Sequence, residues 1–253
     1  AATAGWGCVK VWDLADGAER WSRFVLKREI AAVAFSPDGS DLCAGGTEGA
    51  EGVLQGRDGG IVSRTPPLGA PVASLTCRHH AVSVLAGLAD GRLCEIDPRS
   101  GAVLATVETP TGGLFAMAES PDGRHLAIGG PGGAWLRGSG GFQPVTAVDG
   151  PAAARGVRGI AFDRTGQRLA VAYADGAVSA GRMATRGRDG LTPLWRAAQP
   201  GHGAACRVAF TPDGRRVAGG VGGGLGRGLD AGAGAALVGP PAPSSPPTVP
   251  RPS

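Results

Sequence analysis

Short apolar runs, each closed by a cluster of turn residues, recur along the whole chain. Ile160-Ala161-Phe162 and Leu169-Ala170-Val171-Ala172-Tyr173 are continuous and predict core strands. Val82-Ser83-Val84-Leu85 and Leu93-Cys94-Glu95-Ile96 alternate, which is the period of a half-buried strand. The runs keep a beat of roughly forty residues. Taking Val9-Lys10-Val11-Trp12-Asp13 as a ruler, the same two-residue mark falls at Leu54-Gln55, Ile96-Asp97, Leu136-Arg137, Gly181-Arg182 and Leu229-Asp230. The steps between second members are 42, 42, 40, 45 and 48 residues. A second mark keeps time with the first: Phe35-Ser36-Pro37-Asp38-Gly39, Glu119-Ser120-Pro121-Asp122-Gly123, Phe162-Asp163-Arg164-Thr165-Gly166 and Phe210-Thr211-Pro212-Asp213-Gly214. A copy due near residue 80 is replaced by Cys77-Arg78-His79-His80. One strand-turn-strand unit per repeat, stacked so that each buries what its neighbour exposes, is the architecture that such a period implies.

Val33-Ala34-Phe35-Ser36-Pro37-Asp38-Gly39 followed by Leu42-Cys43-Ala44-Gly45-Gly46, and Val9 to Asp13 followed by Gly17, resemble the WD-repeat β-propeller family over about residues 1–238. The resemblance implies an all-β propeller of about five four-stranded blades plus an N-terminal half-blade. The repeats are degenerate. Only the first mark keeps both Trp12 and Asp13, and Trp6 stands where the family usually has Asp. Asp90-Gly91 and Asp175-Gly176 keep the family's turn, and Gly201-His202 resembles its Gly-His pair, which makes His202 a structural residue. Blades held by packing more than by a buried polar network are therefore expected.

The segments run over about 1–24, 30–64, 70–107, 113–147, 156–197 and 204–238. Residues 239–253 form a Pro/Ser tail expected to be disordered or polyproline II, since it cannot donate a sheet ladder and has little to bury. The chain starts in mid-repeat and reads as a C-terminal portion of a longer protein. In the last repeat, residues 221–234 are mostly Gly, Leu and Ala, so its third and fourth strands are expected to be frayed or absent. Either Cys8 to Phe24 replaces that weak pair and closes the ring, or the blades form an open arc, which is the preferred reading.

Composition changes this picture little. The sequence has 46 Gly, 20 Pro and no Asn, with Arg far outnumbering Lys, the mark of a GC-rich coding bias as in many bacteria. The net charge of +4 is accordingly discounted, and nucleic acid is not expected as a partner. The five cysteines are odd in number and fall mostly in predicted strands, which points to buried thiols in a reducing, cytoplasmic compartment. No apolar run is long enough to span a bilayer.

Candidate chemistry is sparse. Cys77, His79 and His80 are too few for a tetrahedral metal site and read as an exposed degenerate turn. His125 reads as a solvated strand start. The glycines of 219–228 lack the phosphate-loop signature. Asp38, Asp122 and Asp213 sit where turn backbones need an acceptor, and Arg182, Arg186, Arg188 and Arg196 fall in the longest inter-strand loop. No catalytic residue, cofactor or metal is assigned.

The resemblance implies a protein or peptide partner bound by the loops that lead into the innermost strands, which places Lys27, Arg28, Glu29, Arg155 and Arg158 on the binding face. A scaffold or sensor module is the expected role. The alternatives are a propeller enzyme or ligand binder using the central channel, or the accessory repeats of a larger signalling enzyme.

Overall fold

The computed structural model describes residues 1–49, 51–79, 82–138, 146–148, 156–184, 191–197, 205–221 and 227–234. It is a five-bladed β-propeller of antiparallel sheets in chain order. Arg155, His80, His202, Arg186, Arg188 and the 239–253 tail lie outside the described residues.

The first sheet has six strands: β1 (Ala2–Ala4), β2 (Trp6–Trp12), β3 (Glu19–Phe35), β4 (Asp41–Gly46), β5 (Glu51–Gln55) and β6 (Ile61–Thr65). Strand β3 is 17 residues long and belongs to two units. Its first part pairs with β2 and its last part, from Ile30, is the innermost strand of blade 1. Blade 2 follows with β7 (Val72–Cys77), β8 (Val84–Leu88), β9 (Arg92–Ile96) and β10 (Val103–Glu108). Blade 3 has β11 (Ala116–Glu119), β12 (His125–Gly130), β13 (Gly133–Gly138) and β14 (Thr146–Ala147). Blade 4 has β15 (Val157–Phe162), β16 (Arg168–Tyr173), β17 (Val178–Met183) and β18 (Leu191–Ala197). Blade 5 has β19 (Ala205–Phe210), β20 (Arg216–Val221) and β21 (Arg227–Asp230).

The turns at the far ends of the innermost strands share one chemistry. Gly39, Gly123, Gly166 and Gly214 all take a positive φ that a side chain would strain. Asp38 accepts from the Ser36 and Ser40 hydroxyls and the Ser40 amide, which holds its carboxyl down at about 2. Asp122 and Asp213 accept from Ser120 and Thr211 in the same way. At Gly91, Gly101 and Gly176 the partners are Asp90, Asp97 and Asp175, each accepting an amide two residues on. Near Trp12, Asp13 accepts the Ala15 amide and pairs with Arg20, while the Trp12 Nε1–H donates to Thr3 Oγ1 at 2.8 Å.

Blades join through a repeated contact between glycine and an apolar residue. A Cβ on Gly45 would lie 2.4 Å from Val72 Cγ1, and one on Gly129 would lie 2.4 Å from Val157 Cγ1. On Gly87 it would meet Leu114 Cβ at 2.7 Å. The missing side chain lets the next blade's first inner residue seat against the sheet, and Val72, Leu114 and Val157 are fully buried as a result.

Several expectations are corrected here. The third strand of the last repeat does form: β21 pairs with β20 over Arg216 to Gly219, because Leu229, buried in the core between blades 4 and 5, anchors it. Cys8 to Phe24 does not stand in for that strand. It is built into the sheet of blade 1, with β1 as an additional edge strand, and Val9, Val11 and Trp21 pack on Leu42 and Leu54. Lys27, Arg28 and Glu29 are inside β3 rather than in a loop, all three exposed, because the strand runs on unbroken from its pairing with β2, where Glu29 faces Trp6, into blade 1. Arg182 and Arg196 are likewise strand residues, in β17 and β18.

A polar network also braces a blade joint, although packing more than buried polar contacts is expected from the degenerate repeats. Arg78 at the end of blade 2's inner strand reaches Glu95 at 2.9 Å and Glu119 of blade 3 at 3.4 Å. His79 donates its backbone N–H to Glu119 and places Nδ1 3.1 Å from the same carboxylate. The Ser83 hydroxyl donates to Glu95, holding that carboxyl below its ordinary value together with Arg78, although burial acts the other way and is the largest single influence. Glu119 is almost wholly enclosed, at 1% side-chain exposure. Cys77 is thus a buried residue and His79 a half-exposed interblade one, so this stretch is not a simple exposed turn.

The channel mouth as candidate functional site

Four of the five innermost strands, those of blades 1, 2, 4 and 5, are bulged near their start. The register slips between Ile30 and Ala32, Val72 and Ser74, Val157 and Gly159, and Ala205 and Arg207. A bulge leaves one residue out of the ladder and re-aims its side chain. The skipped residues are Ala31, Ala73, Arg158 and Cys206, and Phe115 holds the corresponding place in blade 3, donating its N–H to Gly129 O at 2.9 Å. These residues mark the mouth of a central channel of about 290 Å³. Ala31, Val33, Ala73, Leu75, Phe115, Met117, Ile160 and Arg207 are among its lining residues.

The mouth is mostly small and apolar on blades 1 and 2, and aromatic and cationic on blades 3 to 5. The Arg158 guanidinium lies 5.2 Å from the centroid of the Phe115 ring. Arg207 Nη1 donates to Arg158 O at 2.9 Å, tying blade 5 to blade 4 at the rim. Arg158 is exposed, and Phe115 is partly so. A guanidinium over an aromatic ring makes a cation–π contact and keeps N–H donors for a carboxylate or a carbonyl.

Of the sequence-predicted binding residues, the structure brings Arg158 into this cluster. Arg28 is instead paired with Glu48 at 2.7 Å, both side chains being exposed, and Lys27 and Glu29 are exposed on β3 beside it. Phe115 and Arg207 were not singled out from the sequence. A signal for Phe115 exists: Ile30, Val72, Leu114 and Val157 recur at steps of 42, 42 and 43 residues, and the residue after each stands at the channel mouth. Arg207 carries no such mark, because its position follows from the slip at Cys206.

Among the described residues no group of three or more His, Cys, Asp or Glu side chains is placed to hold a metal ion. Nor is any helix there long and apolar enough to cross a membrane.

The fold is a five-bladed β-propeller, and its repeated marks resemble those of WD-repeat propellers. A chain of the mitotic checkpoint complex superposes with a TM-score of 0.75 at 18% identity, over 87% of this chain and 67% of that one. The Cps50 (Swd1) β-propeller domain of Myceliophteria thermophila superposes with a TM-score of 0.77 at 15% identity, over 94% of this chain and 81% of that one. No family model and no curated protein sequence matches the chain. The likeness is one of fold.

Proposed function

We propose that this protein is a non-enzymatic interaction scaffold whose channel-mouth face binds a protein or peptide of acidic or mixed charge. The observation that carries the reading is the Arg158 guanidinium over the Phe115 ring at the rim, beside Arg207. Arginine and aromatic side chains at the centre of a face are the residue types that dominate binding energy at protein interfaces. Lys27, Arg28 and Glu29 extend the face with mixed charge, and Arg155 is assigned to the same side by its place in the repeat. The five sheets supply a rigid platform, which limits the ordering cost of association to the partner. The alternative of chemistry within the channel has less support. Ser74 and Arg207 are the polar lining residues, and the Ser74 hydroxyl is already committed to Leu114 O at 2.8 Å.

The test is a panel of fluorescent peptides of matched length, acidic, basic and neutral, titrated against the protein by anisotropy. Acidic or mixed peptides carrying an apolar residue are expected to bind, with Arg158→Glu weakening them at least tenfold. Arg124→Glu, on the opposite face, should leave binding unchanged. Equal binding of all charges, or no effect of Arg158→Glu, would refute the assignment.

A further inference from the structure

We infer that Cys43 and Cys77 form a reactive dithiol that closes into a disulfide between blades 1 and 2. Cys43 lies in β4, the second strand of blade 1, and Cys77 is the last residue of β7, the innermost strand of blade 2. The two sulfurs face one another across the blade joint at 3.7 Å. They belong to one apolar cluster with Val53, Val72, Leu75 and Val84. A disulfide requires about 2.05 Å between sulfurs, so closure asks each sulfur to move by somewhat under 1 Å, within the reach of side-chain rotation.

Burial alone would make such thiols inert, but these two also line a cavity of about 440 Å³ that opens between the blades. The cavity is walled by the Asp38 turn on one side and by Arg78, His79 and Ser83 on the other. Cys77 shows 8% of its surface and Cys43 1%. That asymmetry orders the chemistry, because only the first thiol has to meet a reagent from solution. The reagent is a small disulfide. Cys77 gives up its proton and its thiolate attacks one sulfur of the reagent, releasing a thiolate that takes up a proton. Cys43, deprotonated in turn, attacks the Cys77 sulfur of the mixed disulfide and releases the second thiol. Two cysteines are oxidised and one small disulfide is reduced to two thiols, with both protons accounted for. Cys8 and Cys94 are placed differently, against the hydroxyls of Ser22 and Thr106.

The product would covalently staple two blades that are otherwise joined by packing and by hydrogen bonds such as Ser63 Oγ to Pro98 O. The experiment is to expose the folded protein to 2-hydroxyethyl disulfide, block remaining thiols, digest with trypsin and map linkages by mass spectrometry. The expected result is a linked pair of peptides 29–57 and 65–78, with the thiol count under denaturing conditions falling from five to three. The unfolding midpoint should rise and return on reduction. Cys77→Ala should keep its remaining four thiols under the same treatment, while the wild-type linkage map serves as the readout that needs no variant to fold. Absence of that peptide pair, or an equal yield of linkages to Cys8, Cys94 or Cys206, would overturn the inference.

Discussion

The central blades and the two ends of the propeller are built from the same repeat, yet they bury it differently. In blade 2 every residue of β8 is buried, and in blades 3 and 4 so is every residue of β12 and β16 after the first. Strand β2, at the N-terminal end, alternates buried and uncovered positions along its whole length. Strand β20, at the other end, does the same: Val217 is buried and Ala218 exposed, whereas the equivalent Ala127 and Ala170 are enclosed. A sheet between two neighbours must be apolar on both faces, and a sheet with one neighbour needs only one apolar face. What covers a strand, more than its own composition, therefore decides what it contributes to stability.

Five substitutions test that contrast. The largest effect is expected for Leu169→Ala in the middle of blade 4, where the side chain has no exposure, at about 4 kcal/mol in a denaturant melt. Trp6→Ala on the uncovered face of β2, a larger truncation of a residue 78% exposed, should change stability by under about 0.5 kcal/mol. Equal losses at the two sites would break the comparison.

Arg78→Ala should cost about 3 kcal/mol, because it takes the guanidinium away from the enclosed Glu119 carboxylate and leaves, among the described residues, the hydrogen bonds from His79. Gly129→Val drives a side chain into Val157 and Ile160 and should cost about 2 kcal/mol. The equivalent Gly220→Ala on blade 5 has its nearest neighbour at 4.0 Å and should be close to neutral.

Asp163 sharpens the joint between blades 4 and 5. Burial pushes its carboxyl up, but the Arg168 amide and guanidinium and the Thr165 hydroxyl together outweigh that and hold it below the ordinary value. Arg168 in turn donates to Gly214 O of blade 5. A depressed folded-state value contributes stability that is complete above the unfolded value and is lost as pH falls through the folded one. Acid melts should therefore steepen below about pH 4, and Asp163→Asn should flatten that part of the curve while costing about 1.5 kcal/mol at neutral pH.

Much of the fold was legible because its devices are local. Pro37-Asp38-Gly39 and its copies demand a turn whatever surrounds them, since glycine takes the positive φ and aspartate the free amides. The apolar runs between them demand strands for the same local reason. The channel mouth was only half legible. Arg158 could be placed by phase, but Phe115 beneath it and Arg207 beside it come from other blades, 43 and 49 residues away. The Arg78 network was missed because its partners are divided between two blades, and a stretch that lacks turn residues looks like decay when it is in fact a joint. The glycine-rich last repeat misled in the opposite direction: one buried leucine, Leu229, was enough to hold its third strand.

By itself the sequence determined the period, the turns and the strand character, because each depends on residues adjacent in the chain. Only the tertiary structure decided which faces are covered, which glycines are joints, which charges meet and which two thiols come within 3.7 Å. Those depend on residues about one repeat apart, and a repeat period fixes that blades stack without fixing which side chains the stack brings together.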